Sequence, residues 1–294
     1  MRHLFTPLSA AVAVAILALG GCAIIVAPDD GNGSVHFVSG FDGKAIEGNG
    51  QSQMEARAVA SVGKLDVNGP VHVEVHVGGA PSLQVEAESN LLPLVHTEVR
   101  GDTLHISVQG SFHSTSGLRV IYTTPQLTQI NASGSGRLMV AGLNGATLYV
   151  EQNGSRTSEL SGNVGRLDVQ VRGSGNIDAS GLSSGVTQAS LMGSGRLDLG
   201  QIHGDTLDVS VNGSGGVRGS GDVRVANVRL RGSGDVDLAA LRSESADLSA
   251  TGSGDILASV TQKVVADSSG SGRIIVHGNP QQVSVKGNHV TVGI

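Results

Sequence analysis

The chain of 294 residues carries a formal net charge of −6 and contains 44 glycines, two tyrosines, four phenylalanines and no tryptophan. The negative charge argues against nucleic acid as a partner, because proteins that bind its phosphates are typically basic. The shortage of aromatic residues predicts a thin core of Val, Leu, Ile and Ala, which is typical of a narrow β-structure.

The first 21 residues have the organisation of a bacterial export signal. A basic start at Met1 to His3 is followed by a short apolar run, Ala10 to Leu19, and then by two glycines and Cys22. This resembles the bacterial lipoprotein signal, in which the cysteine is acylated and becomes the first residue after cleavage. Residues 1–21 are therefore predicted to be a lipoprotein signal peptide, with Cys22 as the site of lipid attachment. An ordinary secretory peptide and a single membrane span are the alternatives, although the apolar run is short for a span.

The resemblance to a lipoprotein signal also implies a location. Ala23 follows the cysteine, and the resemblance then implies a lipid anchor in the outer membrane of the bacterial cell envelope, facing the periplasm or the cell surface. Cys22 is the only cysteine, so the fold makes no disulfide within its own chain. Residues 22–55 are rich in Gly, Asp and Asn and lack sustained periodicity, which predicts a flexible tether. Phe37 and Phe41 break this pattern and predict a brief strand or a plug on the first coil.

Residues 56–128 are predicted to form β-strands. Alternating apolar residues occur from Lys64 to Val67 and from Val71 to Val77, on either side of an Asn-Gly-Pro turn. Further runs cover 83–87 and 118–122. Residues 97–108 predict a hairpin around a Gly-Asp turn.

Residues 129–278 contain the most regular pattern of the chain, a Gly-Ser pair that usually belongs to the tripeptide Gly-Ser-Gly and returns every 18 to 20 residues. A fixed period of this length indicates a repeat architecture. Apolar and polar residues alternate on both sides of each pair, which predicts two short strands per repeat, each with one buried face. The pairs are Gly134-Ser135, Gly154-Ser155, Gly173-Ser174, Gly193-Ser194, Gly213-Ser214, Gly232-Ser233, Gly252-Ser253 and Gly270-Ser271.

These pairs are predicted to be corners of a solenoid. Glycine adopts positive φ without steric penalty, and the serine can bond to nearby backbone or to the serine of the next coil. If coils of about 20 residues stack in parallel, identical residues form ladders along the stack. An antiparallel meander closed as a barrel or sandwich is the rival architecture, but it gives no reason for the same turn at the same edge.

Several motifs follow one another along the chain in a recognisable order. They are Gly-Asn-Gly, Glu55-Ala56-Arg57, the run from Lys64 to Val75, Leu83 to Leu92, Gly101-Asp102-Thr103-Leu104, and the Gly-Ser-Gly repeats. This order, rather than any one motif, resembles a known family, the auto-transporter adhesin head domain called the GIN domain, roughly from Gly48 to His277. The resemblance implies an all-β fold like a right-handed parallel β-helix, an envelope or secreted location, and no catalytic residues. The GIN-like domain is accordingly predicted over residues 56–294.

Residues 279–294 are predicted to form capping strands at the end of the solenoid. Val283, Val285, Val290 and Val292 alternate with polar residues around Gly287-Asn288, which predicts a last hairpin. Without a cap, the open end of the solenoid favours edge pairing, so an oligomer joined through its ends is an alternative.

The polar residues of the repeats give little support to a metal site or an active site. Asp178, Asp198 and Asp237 share the sixth position of their repeats and faintly resemble calcium-binding nonapeptides. The other repeats carry Met139, Glu159, Arg218, Leu257 and Ile275 there, which favours a solvated polar face. His72 and His76 share one face of a strand, and zinc would need a further ligand, such as His96 or His105. No cofactor or metal is predicted.

Catalysis is also disfavoured by the spacing of the acidic side chains. A polysaccharide-active β-helix enzyme needs paired carboxylates in one groove. The column of Asp168, Asp208 and Asp247 occupies alternate coils and therefore spaces its members by about 10 Å. The Gly-Ser repeats also offer a single aromatic residue, Tyr149, for contact with a sugar.

Two functional classes remain from the sequence. The first is an adhesive or structural envelope protein whose β faces contact a polysaccharide, a surface protein or other copies of the chain. The second is a periplasmic binding or envelope-sensing accessory. Solenoids present extended surfaces suited to either role.

Overall fold

The computed structural model describes residues 45–293. The predicted signal peptide, the lipid site Cys22, Phe37 and Phe41 lie outside the described residues. Within this range the ordered elements are β-strands and one short 3-10 turn, Leu92–Leu94. No helix in this part of the chain is long and apolar enough to cross a membrane.

Twenty strands follow one another between residues 45 and 293. They are β1 (Ile46–Glu47), β2 (Ser52–Arg57), β3 (Lys64–Asn68), β4 (His72–Val77), β5 (Ser82–Glu88), β6 (Val95–Arg100), β7 (Thr103–Val108), β8 (Phe112–His113), β9 (Arg119–Thr124), β10 (Gln129–Gly134), β11 (Arg137–Gly154), β12 (Thr157–Gly173), β13 (Asn176–Gly193), β14 (Arg196–Gly213), β15 (Gly216–Gly232), β16 (Asp235–Gly252), β17 (Ile256–Gly270), β18 (Ile274–His277), β19 (Gln282–Lys286) and β20 (Val290–Val292).

Each repeat forms one coil with two arms. In β11 the residues after the Gly-Ser-Gly corner form a post-corner arm, and those that lead to the next corner form a pre-corner arm. The chain bends between the two arms, and the pairing register shifts there, for example between Val140 and Leu143. The sequence predicts two short strands per repeat, but backbone pairing continues through this second bend. Each full coil is therefore a single bent strand, 15 to 18 residues long.

Successive coils pair in parallel, with their corners in register. Gly134 pairs with Gly154, Gly154 with Gly173, and the series continues to the pair of Gly252 and Gly270. Because neighbouring corners lie directly over one another, the predicted solenoid is confirmed and the antiparallel meander is excluded for these coils.

The core is a column of aliphatic side chains enclosed by the two arms. The inward residues of each arm alternate with outward ones, so that Leu138 and Val140 on one arm and Leu148 and Val150 on the other are all buried. The same positions are buried along the stack, and together they form one continuous hydrophobic cluster. Burial of these side chains, at about 25 cal/mol per Å² of apolar surface, is the main stabilising term of the stack.

The N-terminal strands add further coils beneath the glycine ladder. β3 and β4 form a coil whose corner is Gly69, with φ of +103°. β3 pairs in parallel with β10 on one side and β7 on the other, and β4 pairs with β11 and β9. The coil formed by residues 64–77 is therefore enclosed between segments that come later in the sequence.

Antiparallel strands close this end of the stack. β6 pairs antiparallel with β7, as the predicted hairpin requires, and β5 pairs antiparallel with β9. β2 then adds to β5, again antiparallel. The predicted irregular β region before the repeats is thus confirmed. β2 begins at Ser52, inside the stretch 22–55 predicted as tether, because residues 52–57 complete the edge of β5.

The prediction of a last hairpin at the C-terminus is wrong. β19 pairs in parallel with the end of β17, and β20 pairs in parallel with β18. Gly287 takes the corner position, with φ of +99°, so residues 282–292 form one more coil of the stack. The inward valines of this coil are uncovered, and Val283 is 51% exposed and Val285 44% exposed.

Candidate functional site

The Gly-Ser corners form a ladder along one edge of the solenoid. The first glycine of all eight corners has positive φ, from +87° at Gly134 to +132° at Gly193 and Gly213. The serine N–H donates to the carbonyl of the first glycine one coil earlier, as Ser194 does to Gly173 at 3.0 Å. All eight serine side chains are exposed. These serines are Ser135, Ser155, Ser174, Ser194, Ser214, Ser233, Ser253 and Ser271.

Neighbouring corners are joined mainly by backbone hydrogen bonds and not by the serine hydroxyls. In the described part of the chain one pair of corner hydroxyls is joined, Ser271 Oγ to Ser253 Oγ at 3.1 Å. The remaining corner hydroxyls face solvent, so the edge presents a row of small polar groups rather than a closed side-chain network.

The second glycine of each corner is needed for close packing. A Cβ on Gly195 would stand 2.0 Å from the carbonyl oxygen of Gly175 on the preceding coil. Gly195 does not have positive φ, so its lack of a side chain reflects the approach of the coils and not an unusual backbone conformation.

One corner departs from this pattern and carries Arg156 where the other seven have a second glycine. The Arg156 side chain is fully buried, at 0% exposure. Its guanidinium donates to the carbonyls of Gly69 at 2.6 Å and Val71 at 2.8 Å, two coils away. Longer bonds reach Ser133 at 3.3 Å and Arg137 at 3.4 Å. This side chain links the coil of β3 and β4 to the first coils of the ladder.

Among residues 45–293, Arg156 has carbonyl acceptors but no carboxylate partner. Burial lowers the pKa of the Arg156 guanidinium to about 10, so the group remains charged at neutral pH. The neighbouring side chains Gln152 and Ser158 are also buried, and Ser158 donates to Gln152. Gln152 in turn donates to the carbonyl of Arg156 at 2.9 Å. The sequence does not reveal this cluster, although Arg156 stands where the other corners have their second glycine.

The aspartates at the sixth position of the repeats stabilise the bend between the arms. Asp178 accepts a hydrogen bond from the N–H of Ser180 at 2.9 Å, and Asp198 accepts one from Gly200 at 3.0 Å. Asp237 does the same with Ala239 at 3.2 Å. Such bonds from the N–H two residues on are typical of Asx turns. Among the described residues, no three His, Asp or Glu side chains are grouped so that they could hold a metal ion.

Three carboxylates pair on adjacent coils, as a catalytic pair would require: Glu159, Asp178 and Asp198. Glu159 faces Arg137 at 3.7 Å. Hydrogen bonding from Ser180, through its hydroxyl and its N–H, holds the pKa of the Asp178 carboxyl below its ordinary value. A general acid needs a raised pKa instead, so this column is better explained as turn-forming residues.

The second acidic column is spaced as the sequence predicts. Asp168 pairs with Gln188, which pairs with Asp208. Asn227 then separates Asp208 from Asp247. Carboxylates therefore alternate with amides, and like charges stand about 10 Å apart. Asn227 donates to Asp208 at 2.8 Å, so the amides also bridge neighbouring coils.

The histidines do not form one site. His72 and His76 lie on β4, a post-corner arm, whereas His96 and His105 lie on the hairpin of β6 and β7. β7 stacks with the pre-corner arms. The four histidines are therefore divided between different faces of the solenoid.

A shallow depression of about 330 Å³ lies on the outward face of the pre-corner arms. Its centre is Tyr149, which is 51% exposed. It is lined by two columns of outward residues, each made of residues that pair across three successive coils. One column passes through Tyr149 and the other through Glu151. The lining side chains are Gln129, Asn131, Tyr149, Glu151, Asp168 and Gln170.

Solved structures of low sequence identity share this fold. A "putative lipid binding protein" from Parabacteroides distasonis is 23% identical, with a TM-score of 0.64, over 85% of this chain and 99% of its own. A "putative adhesin" from Parabacteroides merdae is 21% identical, with a TM-score of 0.64, over 85% of this chain and 98% of its own. Another "putative adhesin" from Parabacteroides distasonis is 22% identical, with a TM-score of 0.65, over 85% and 100%. No curated protein matches the chain.

A family model covers most of the described solenoid. It matches residues 63–201 and again 182–280, which together include the coil of β3 and β4, the Gly-Ser ladder and β18. The family is described as "putative auto-transporter adhesin, head GIN domain". The chain belongs to this GIN domain family.

Proposed function

We propose that this chain is a non-enzymatic lipoprotein of the bacterial cell envelope, which uses the outward faces of its solenoid to adhere to a polymer, a surface or another protein. The observation that carries the proposal is the register of the coils. It repeats outward polar side chains from coil to coil, and so generates an extended flat face instead of a single catalytic cleft.

The polar groups on these faces are suited to contact rather than to catalysis. Glu159, Asp178 and Asp198, which pair on adjacent coils, are engaged by an arginine or by backbone N–H groups of their own turns. The family description also refers to adhesion. An adhesive role requires a wide surface with many weak contacts, which a solenoid supplies.

The proposed attachment is through Cys22, with the outer membrane as the location. The support is the sequence around Cys22, which resembles a lipoprotein signal. Replacing Cys22 with Ser should release the protein from the membrane fraction without changing its fold. Retention of the Cys22→Ser protein in the membrane fraction would contradict the lipid anchor.

Surface exposure is tested by protease shaving of intact cells. An adhesin on the cell surface is expected to be cleaved, and those cells should adhere less to immobilised polysaccharide or matrix protein. Complete protection in intact cells, with cleavage only after the outer membrane is opened, would instead favour the periplasmic binding or sensing role. A periplasmic marker protein on the same cells is the control for membrane integrity.

A further inference from the structure

We propose that the depression around Tyr149 is a binding site for an uncharged polysaccharide. This inference rests on the adhesive function proposed above and adds the place and the chemical class of the ligand. Tyr149 is the one aromatic residue between residues 129 and 294, and about half of it is exposed. The buried hydrophobic side chains of the same range are all Ala, Val, Leu or Ile.

The side chains around Tyr149 form a small grid. Gln129, Tyr149 and Asp168 occupy one column on three successive coils, because Tyr149 pairs with both of the others. Asn131, Glu151 and Gln170 occupy the next column in the same way. With neighbouring strands about 4.8 Å apart and alternate residues about 6.7 Å apart, the grid measures roughly 7 by 10 Å.

The carboxylates of the grid are held in place from outside it. Arg166 forms a fork on Asp168, with bonds of 2.9 and 3.0 Å. Arg172 donates to Glu151 and, at 3.0 Å, to Gln170. Each acidic group therefore has its own arginine, and the local charge is balanced. A balanced site neither attracts nor repels ions strongly, which favours an uncharged ligand over a polyanion.

Polar groups of the grid remain available for a ligand. Gln129 donates to Asn131 Oδ1 at 3.3 Å, which leaves the Nδ2 group of Asn131 without a partner among residues 45–293. The hydroxyl of Tyr149 and the Nε2 group of Gln170 are likewise without a partner in this range. Amide donors and carboxylate acceptors around an exposed ring match the hydroxyls and the apolar face of a sugar. A binding site for a protein partner would instead be expected to surround the ring with apolar side chains.

The experiment compares three single variants of the full-length chain. Tyr149→Gln removes the ring and introduces a residue type that the same column already contains on other coils, at Gln129 and Gln188. Tyr149→Phe keeps the ring, and Met139→Gln alters an exposed apolar residue of the post-corner face as the matched control. Circular dichroism shows whether each variant keeps the fold.

Binding is measured with soluble β-glucan, xylan and chitin oligosaccharides as uncharged probes, and with polygalacturonate and hyaluronate as anionic ones. The wild type is expected to prefer an uncharged probe. Tyr149→Gln should raise its Kd about tenfold or more, because loss of a central aromatic contact commonly costs over 1 kcal/mol. Tyr149→Phe and Met139→Gln should remain within about threefold of the wild type, a difference below 1 kcal/mol.

Any other result contradicts the proposed polysaccharide site. Equal binding by wild type and Tyr149→Gln would show that sugars bind elsewhere, and a preference for anionic probes would contradict the chemistry. If no probe binds but intact cells still adhere to immobilised fibronectin or collagen, the polysaccharide site is wrong and the adhesive function stands. If cells adhere to none of these surfaces, the proposed function fails and the site fails with it.

Discussion

Replacement of Arg156 tests whether a buried cation holds the first coils together. Arg156→Met keeps the length of the side chain but removes every donor, leaving the carbonyls of Gly69 and Val71 without the bonds of 2.6 and 2.8 Å that they now accept. Arg156→Gly instead restores the corner sequence of the other coils and empties the same site.

The expected loss follows from two opposing terms. Two hydrogen bonds from a charged donor are worth about 3–6 kcal/mol together. Against this, Met does not incur the desolvation cost that lowers the pKa of Arg156 to about 10, a shift equivalent to roughly 3 kcal/mol. Because the two carbonyls stay buried and unpaired, which costs a further 1–3 kcal/mol or so each, the terms sum to a loss of about 2–9 kcal/mol. We therefore expect Arg156→Met to lose at least about 2 kcal/mol.

The measurement is thermal unfolding of the full-length protein followed by circular dichroism. A loss of at least this size lowers Tm by about 4 °C or more for a domain of this length. Arg137→Met is the matched control, because Arg137 is exposed and faces Glu159 at 3.7 Å; exposed pairs contribute at most about 1 kcal/mol. Equal Tm values for Arg156→Met, Arg156→Gly and the wild type would refute the proposed role, since water would then satisfy the carbonyls equally well.

The pH dependence gives a second check on Arg156. Its pKa in the folded protein is about 10, below the ordinary value of a guanidinium, so between the two values the unfolded chain binds more protons than the folded one. The stability of the wild type relative to Arg156→Met should therefore rise with pH in that window and stay constant from pH 6 to 9. A difference that changes within pH 6 to 9 would show that another group titrates.

The remaining predictions concern the corner ladder, an ion pair and the open end. Gly193→Val should lower stability by a few kcal/mol and raise aggregation, because φ is +132° and a Cβ would lie 2.1 Å from a carbonyl oxygen of the previous coil; an unchanged Tm would contradict this. Arg273 holds the pKa of Asp255 below its ordinary value, so its contribution is present at neutral pH and lost as pH falls below about 4. Thermal unfolding of Arg273→Gln should therefore differ from wild type at pH 7 and converge with it in acid, and a constant difference would argue against the pair. Val283→Lys combined with Val285→Lys should reduce association of the purified protein, measured by light scattering, since it places charge on an uncovered core edge; unchanged association would show that this end is not involved.

The repeating part of the fold can be predicted from sequence because its determinants are local. The Gly-Ser spacing and the alternation around it determine both the corner and the inward residues, so Leu138 and Leu148 are identified as core without any knowledge of the neighbouring coils. The same locality places Asp168, Asp208 and Asp247 on alternate coils, as the pairing confirms.

The features that sequence does not reveal depend on distant partners. Arg156 is explained by carbonyls 85 and 87 residues earlier in the chain, and no local pattern points to them. The sequence of residues 282–292 is compatible with either a hairpin or one more coil. Parallel pairing with β17 and β18 decides between them. Asp178 stabilises a local turn. Its resemblance to calcium-binding repeats does not predict that role.

The position of the coil formed by residues 64–77 constrains how the protein is assembled. Its strands are synthesised before β7 and β9, which cover one side, and before β10 and β11, which cover the other. A nascent chain that has emerged only to residue 80 therefore holds two bare strands with no neighbour on either side. Partners for both of its sides are complete only after about sixty more residues have been synthesised, so the central coil of this end depends on contacts that are distant in sequence.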